Sequence, residues 1–121
     1  MMIMYPDVKV PVVQISILSN LNPETHYRMG VAVRNLKKEG FLILGSGSSS
    51  HGSFFEKQAI KWSQSFDQEL GSLVVKSKND KDLLTLCLNW KKLPFAKEMH
   101  PREEHLVPLF INLGAHQGDL K

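Results

Sequence analysis

The chain opens with short β-branched apolar runs and then changes to stretches whose apolar residues recur every three or four positions. Val10 to Leu18 (VPVVQISIL) predicts a strand, with Pro11 near its start because proline cannot donate to a ladder. Phe41-Leu42-Ile43-Leu44, bounded by Gly40 and Gly45, predicts a buried strand of a parallel sheet. Between them, Asn22-Pro23-Glu24 supplies a capping residue, a proline at the first helical position and an acid near the positive end of the dipole. Met29, Ala32, Val33 and Leu36 follow at i, i+3, i+4 and i+7, and Gly40 falls just past the helix end. Strand, helix and strand in this order predict a right-handed βαβ unit, and so an α/β fold.

The second half reads as helices. Phe55, Ala59, Trp62, Phe66 and Leu70 form one apolar stripe that ends at Gly71. Leu73-Val74-Val75 is too short to assign, and Lys76 to Lys81 is a solvated stretch. Asn79 or Asp80 caps a helix with Leu83, Leu86, Cys87 and Trp90 on one face, which Pro94 ends or follows. Leu106, Leu109, Phe110 and Leu113 form a last stripe closed by Gly114, with Pro108 forcing a kink or a late start near Leu106. The tail over 115–121 is expected to fray. Two strands are too little sheet for this many helices. Met1 to Pro6 is apolar and uncapped, like the end of an element. The chain is therefore expected to be part of a larger domain with an incomplete sheet, or to need a partner chain.

Composition narrows the class. With 121 residues the chain makes one domain at most, and 42% hydrophobic and 22% charged residues fit a soluble globular protein. Fifteen Lys+Arg against twelve Asp+Glu give a net charge of +3, but the basic residues are scattered without interleaved aromatics, which argues against nucleic-acid binding. No apolar run approaches the ~18 residues of a membrane span, and the first residues do not follow the charged, apolar, small-residue order of a signal peptide. The single cysteine, Cys87, excludes an internal disulfide and suits a reducing, cytoplasmic compartment.

Candidate chemistry lies in two places. Phe41 to Leu44 runs into Gly45-Ser46-Gly47-Ser48-Ser49-Ser50-His51-Gly52-Ser53, and ligands of open α/β sheets bind beyond the carboxyl ends of strands. This loop lacks the third glycine of a dinucleotide fingerprint, the Lys-Ser/Thr pair of a P-loop and the Gly-x-Ser-x-Gly of a nucleophile elbow. Residue chemistry alone leaves two readings open: a plain turn with His51 satisfied at a helix start, or a site loop with His51 as a catalyst. The second place is His100-Pro101-Arg102-Glu103-Glu104-His105. Its donors invite a metal, yet a spacing of five turns the two histidines about 140° apart on a regular helix. The alternative is that the acids serve a helix N-terminus. His26 and His116 read as surface residues.

Taken together, the two clusters resemble the class III extradiol ring-cleavage dioxygenases, and more narrowly the 4,5-DOPA extradiol dioxygenase group. Gly-Ser-Gly-Ser followed by His51, then His100-Pro101-x-x-Glu104-His105 before a Leu-rich helix, carry the likeness. Met4-Tyr5-Pro6-Asp7, Val10 to Ser16 and Asn22 to Gly30 extend it, and it weakens only between Ser72 and Lys97. The resemblance implies that residues 1–121 are the C-terminal half of one extradiol dioxygenase domain. It implies one Fe(II) or Zn(II) per site, O₂ as co-substrate and a small catecholic substrate of the DOPA type. It matches His51 to the acid/base, with a metal contact as a second role, and His105 to a metal ligand. It matches His100, Glu104, Gly47 and Ser48 to the substrate pocket and its supporting shell, with Glu104 orienting His105. Two further metal-binding histidines of the family lie in the N-terminal half, which leaves a missing half or a partner chain to complete the site. A non-catalytic interaction protein on the same fold is the competing expectation.

Overall fold

The structure is a computed structural model, and it describes Asp7, residues 9–51 and residues 57–116. Within these residues the architecture is helix on helix: α1 (Pro23–Val33), α2 (Lys57–Lys76), α3 (Asp80–Asn89), α4 (Ala96–Met99) and α5 (Val107–Ala115), joined by 3₁₀ turns at Arg34–Glu39, Trp90–Lys92 and Glu103–His105.

Several elements form where local chemistry places them. The Asn22 side chain accepts a hydrogen bond from the Thr25 N–H at 2.9 Å and caps α1, with Pro23 first in the helix. The 3₁₀ turn after α1 ends at Gly40, whose φ of 88° is cheap only for glycine. Asn79 caps α3 in the same way, accepting from the Asp82 N–H at 3.0 Å. Pro108 lies in the first turn of α5, where its missing N–H has no helical partner to lose.

Other elements are set by packing. α2 runs on through Gly71 to Lys76, because Leu73 and Val74 find partners on the core beyond it. A glycine inside a helix costs only about 1 kcal/mol, less than burying part of two apolar side chains gains. Gly114 likewise lies inside α5 rather than closing it, and Ala115 is buried helix rather than frayed tail. The core joins Phe66 of α2, Leu83 and Cys87 of α3, Trp90, and Leu106 and Phe110 at α5.

The α/β expectation is corrected: among the described residues there is no strand and no sheet. Val10 to Leu18 and Phe41 to Leu44 lie outside any helix, but neither is assigned to a strand. β-branched runs favour extended backbone, but a strand exists only through a ladder to a neighbour. No such ladder forms among the described residues, so the βαβ unit is absent as well. The apolar side chains meant for a sheet stand in the open instead, with Val13 82% and Leu42 59% exposed.

One polar network ties three helices together. Arg34, just after α1, donates to both carboxylate oxygens of Asp80 at the start of α3 (2.9 and 2.6 Å) and to the Gly114 carbonyl in α5 (2.9 and 2.7 Å). The Tyr27 hydroxyl donates to Asp80 Oδ1 at 2.9 Å. The Arg34 guanidinium, foremost, holds the Asp80 carboxyl below its ordinary range, while burial and then Asp80 push the Tyr27 hydroxyl up to about 12. A carboxyl depressed on folding stabilises the fold above its unfolded pKa, and that contribution is lost as pH falls through the folded value. Urea midpoints measured from pH 5 down to pH 2 should therefore fall for the wild type and fall less steeply for Asp80→Asn. A raised phenol acts at the other end: its contribution is complete below its unfolded value of 10.0 and is lost on the way to about 12.

No helix among the described residues is long and apolar enough to cross a membrane.

Candidate functional site

The glycine-rich loop lies against the segment that carries the second histidine cluster. Three hydrogen bonds hold it there. The Ser48 N–H donates to the His105 carbonyl at 2.8 Å, and the His51 N–H donates to the Met99 carbonyl at 2.8 Å. Between them, His100 Nε2 lies 3.0 Å from the Ser49 carbonyl, and since a carbonyl can only accept, that nitrogen carries the proton. Inside the loop, Ser48 Oγ donates to the Ser50 carbonyl at 2.7 Å. Gly47 is what lets the loop come so close. A methyl group there would collide with the His105 carbonyl oxygen and sit 3.2 Å from Pro108 Cγ.

This docking brings His51 onto His105. Their rings stack with centroids 3.9 Å apart and planes 29° from parallel. His51 is exposed and His105 half-buried. Beside them a cleft of about 170 Å³ is lined by Gly45, Gly47, Ser48, His105, Leu109 and Asn112, among others. It offers backbone and side-chain polar groups on one side and leucine on the other, a lining suited to a small, partly polar ligand.

His100 is brought into the neighbourhood but is not open to the cleft. It is 2% exposed, with the Phe66 ring 5.4 Å away and the Trp90 ring edge-on at 5.9 Å. Burial, chiefly, pushes its imidazole below the ordinary histidine range. Its Nδ1 has no hydrogen-bond partner among the described residues. His100 and His105 do not share a helix, since α4 ends at Met99 and a 3₁₀ turn starts at Glu103. The angle expected on a regular helix therefore does not apply.

Neither α5 nor the 3₁₀ turn before it has a side-chain cap from its N-cap residue. Glu103 pairs with Lys91 at 2.5 Å, and that contact, foremost, lowers its pKa. Glu104 Oε2 is buried without a hydrogen-bond partner among the described residues, and Arg102 Nε lies 3.4 Å from it, an ion-pair distance without hydrogen-bond geometry. Glu104 is thus not seen orienting His105. Gly52 and Ser53 lie outside the described residues.

Two residues escaped the sequence reading. Asn112 joins the cleft from α5. His26, expected at the surface, is fully buried. The Leu18 N–H donates to its Nε2 at 3.0 Å, so Nδ1 carries the proton and donates to the Asn22 carbonyl at 2.7 Å. It fastens the apolar segment before α1 to the helix. The one local hint was its position four residues after the capping Asn22, one helical turn on.

Comparison with known proteins decides the family. The family model described as the catalytic LigB subunit of aromatic ring-opening dioxygenase matches residues 1–121. The chain belongs to the LigB family. Among curated relatives, a 4,5-DOPA dioxygenase extradiol of Beta vulgaris is 35% identical over 121 residues, covering 95% of this chain and 43% of the relative. One of Mirabilis jalapa is 32% identical over 120 residues, with the same shares. Dioxygenase tasH of Hapsidospora irregularis is 33% identical over 128 residues, covering 95% of this chain and 39% of the relative. The LigB chain thus spans less than half the length of these relatives. The resemblance read from the two histidine clusters is borne out at the level of family, and the family implies metal and O₂ chemistry on an aromatic ring.

The described residues do not by themselves complete a metal site. A coordinating imidazole aims an in-plane lone pair at the metal, whereas stacked rings direct theirs side by side. Among the described residues no three His, Cys, Asp or Glu side chains come together as an ion site, and a catalytic metal needs about three protein ligands.

Proposed function

We propose that the chain forms one wall of an extradiol ring-cleavage site for a small catechol of the DOPA type, with the rest of the site supplied by further polypeptide. The observation that carries this reading is the stacking of His51 on His105, 3.9 Å apart, beside a cleft floored by glycine and serine. Family membership and the names of the relatives, several of which are 4,5-DOPA dioxygenases, support the reaction class. In this reading His51, exposed at the loop end, accepts a proton from a catechol hydroxyl and returns it later, work suited to an imidazole. Leu109 and the apolar side of the cleft receive the ring, while Ser48 and Asn112 offer hydrogen bonds at its edge. The family's metal, Fe(II) or Zn(II), would supply activation of the catechol and O₂. His105 would be one of its ligands, and further polypeptide would supply the others. The exposed apolar side chains of Val13 and Leu42 support the same reading, as surface that further polypeptide would cover.

The test is a longer protein, extended upstream in frame to the length of the relatives, supplied with Fe(II) under O₂. It should turn DOPA or a simpler catechol yellow, while the 121-residue chain under the same conditions leaves it intact. An extended protein that binds metal and cleaves no catechol overturns the reading. The exposed side chains of Val13 and Leu42 also suit a second reading, a non-catalytic interaction protein on the same fold. It expects the chain alone to unfold cooperatively at a midpoint that chelator does not move, and an aggregating or molten chain would count against it.

A further inference from the structure

The geometry points to His100 as a positioning residue: it clamps the glycine-rich loop through the Ser49 carbonyl and so sets the stack of His51 on His105. This rests on the proposed function only for its catalytic consequence.

The loop has little else to order it. Residues 45–50 are two glycines and four serines, a composition with high chain entropy and no apolar side chain to bury. Of the three hydrogen bonds that dock it, two run between backbones and place no demand on the sequence. The third is the only one with a side-chain donor, and that donor is rigid. The His100 ring is 2% exposed and seated between Phe66 of α2 and Trp90, which follows α3. A buried ring held by two aromatic neighbours has lost its rotamer freedom already, so its N–H is aimed before the loop arrives. The bonded carbonyl lies midway between Ser48 and His51, the two residues whose N–H groups make the flanking bonds. Releasing it removes the centre of the clamp, and the His51 ring is the first group beyond the clamp to move.

The prediction separates this role from mere filling of the core. His100→Phe fits between Phe66 and Trp90 but has no donor. His100→Gln carries an amide nitrogen near the position of Nε2, whereas His100→Asn carries it near Nδ1, facing away from Ser49. In the ¹⁵N-labelled 121-residue chain, H100F should speed exchange of the His51 amide by about tenfold, the factor one hydrogen bond is worth. The ring-current shifts of His51 and His105 should collapse towards those of unstacked imidazoles. H100Q should keep both signatures and H100N should lose them. If H100F does not fold, judged by the near-ultraviolet signal of Trp90, the comparison of H100Q with H100N decides alone. A folded H100F with wild-type exchange and stacking overturns the clamp, as do Gln and Asn variants that cannot be told apart. None of these readouts needs turnover. A longer protein that cleaves no catechol, yet whose loop loosens in H100F, overturns the proposed function and leaves the clamp standing.

Discussion

Gly114→Ala should lower the unfolding free energy by about 3 kcal/mol or more, although the substitution is made inside a helix, where alanine is ordinarily favoured over glycine by about 1 kcal/mol. α1 and α5 cross at Gly30 and Gly114 with nothing between their backbones. A methyl group on Gly114 would overlap the Tyr27 carbonyl oxygen and lie 2.9 Å from its carbon and 3.0 Å from the Val31 nitrogen. On Gly30 it would lie 2.7 Å from the Ala115 nitrogen and 2.9 Å from Gly114 Cα. Every obstacle is backbone, so no rotamer change relieves it and the helices must part. Parting them also strains the bonds from Arg34 to the Gly114 carbonyl and shifts α5, which carries Leu109 and Asn112 to the cleft. Gly71 in α2 is the control. Nothing lies within 4 Å of a methyl group there, so Gly71→Ala should stabilise by about 0.5–1 kcal/mol. Urea unfolding of the two variants checks both signs, and a Gly114→Ala midpoint equal to wild type would show that the crossing is not as tight as described.

His51→Ala, made in the extended protein, should reduce kcat for catechol cleavage by about 10²–10⁴-fold with little change in KM, the range expected when a proton-transfer group is removed. The side chain is exposed, and the hydrogen bond from His51 to the Met99 carbonyl runs through the backbone N–H, which alanine keeps. Thermal stability should therefore change little, which separates loss of chemistry from loss of structure. His105→Ala should abolish turnover and also weaken metal binding, read by titration with Fe(II) or Zn(II). A His51→Ala enzyme with wild-type kcat would remove His51 from the reaction.

Much of the helical half was legible locally. Asn22 and Asn79 sit at caps because a short side-chain oxygen can reach a free N–H two or three residues on, and that needs no tertiary partner. Pro108 marks the first turn of α5 for an equally local reason. The stripe of Leu83, Leu86, Cys87 and Trp90 predicted its own burial. The strands failed because the pattern that suggests them reports only a preference for extended backbone, while a ladder needs a neighbour that no local pattern supplies. The burial of His26 and His100 was invisible for a related cause. What buries His100 is Phe66 and Trp90, remote in sequence, and nothing in His100-Pro101-Arg102 announces them.

For the site, the sequence by itself determined the chemistry available: a glycine-serine loop ending in His51, and His105 in a second cluster, in an order that matches the LigB family. These are properties of residue identity and spacing. Only the tertiary structure decided that the two histidines meet, that His100 turns inward with its Nε2 on the Ser49 carbonyl, and that Glu104 Oε2 is buried without a hydrogen-bond partner among the described residues. Those outcomes depend on which backbone surfaces fit together. Here the fit is made by Gly47 against the His105 carbonyl and by Gly30 against Gly114, where the absence of a side chain lets distant segments close to hydrogen-bonding range.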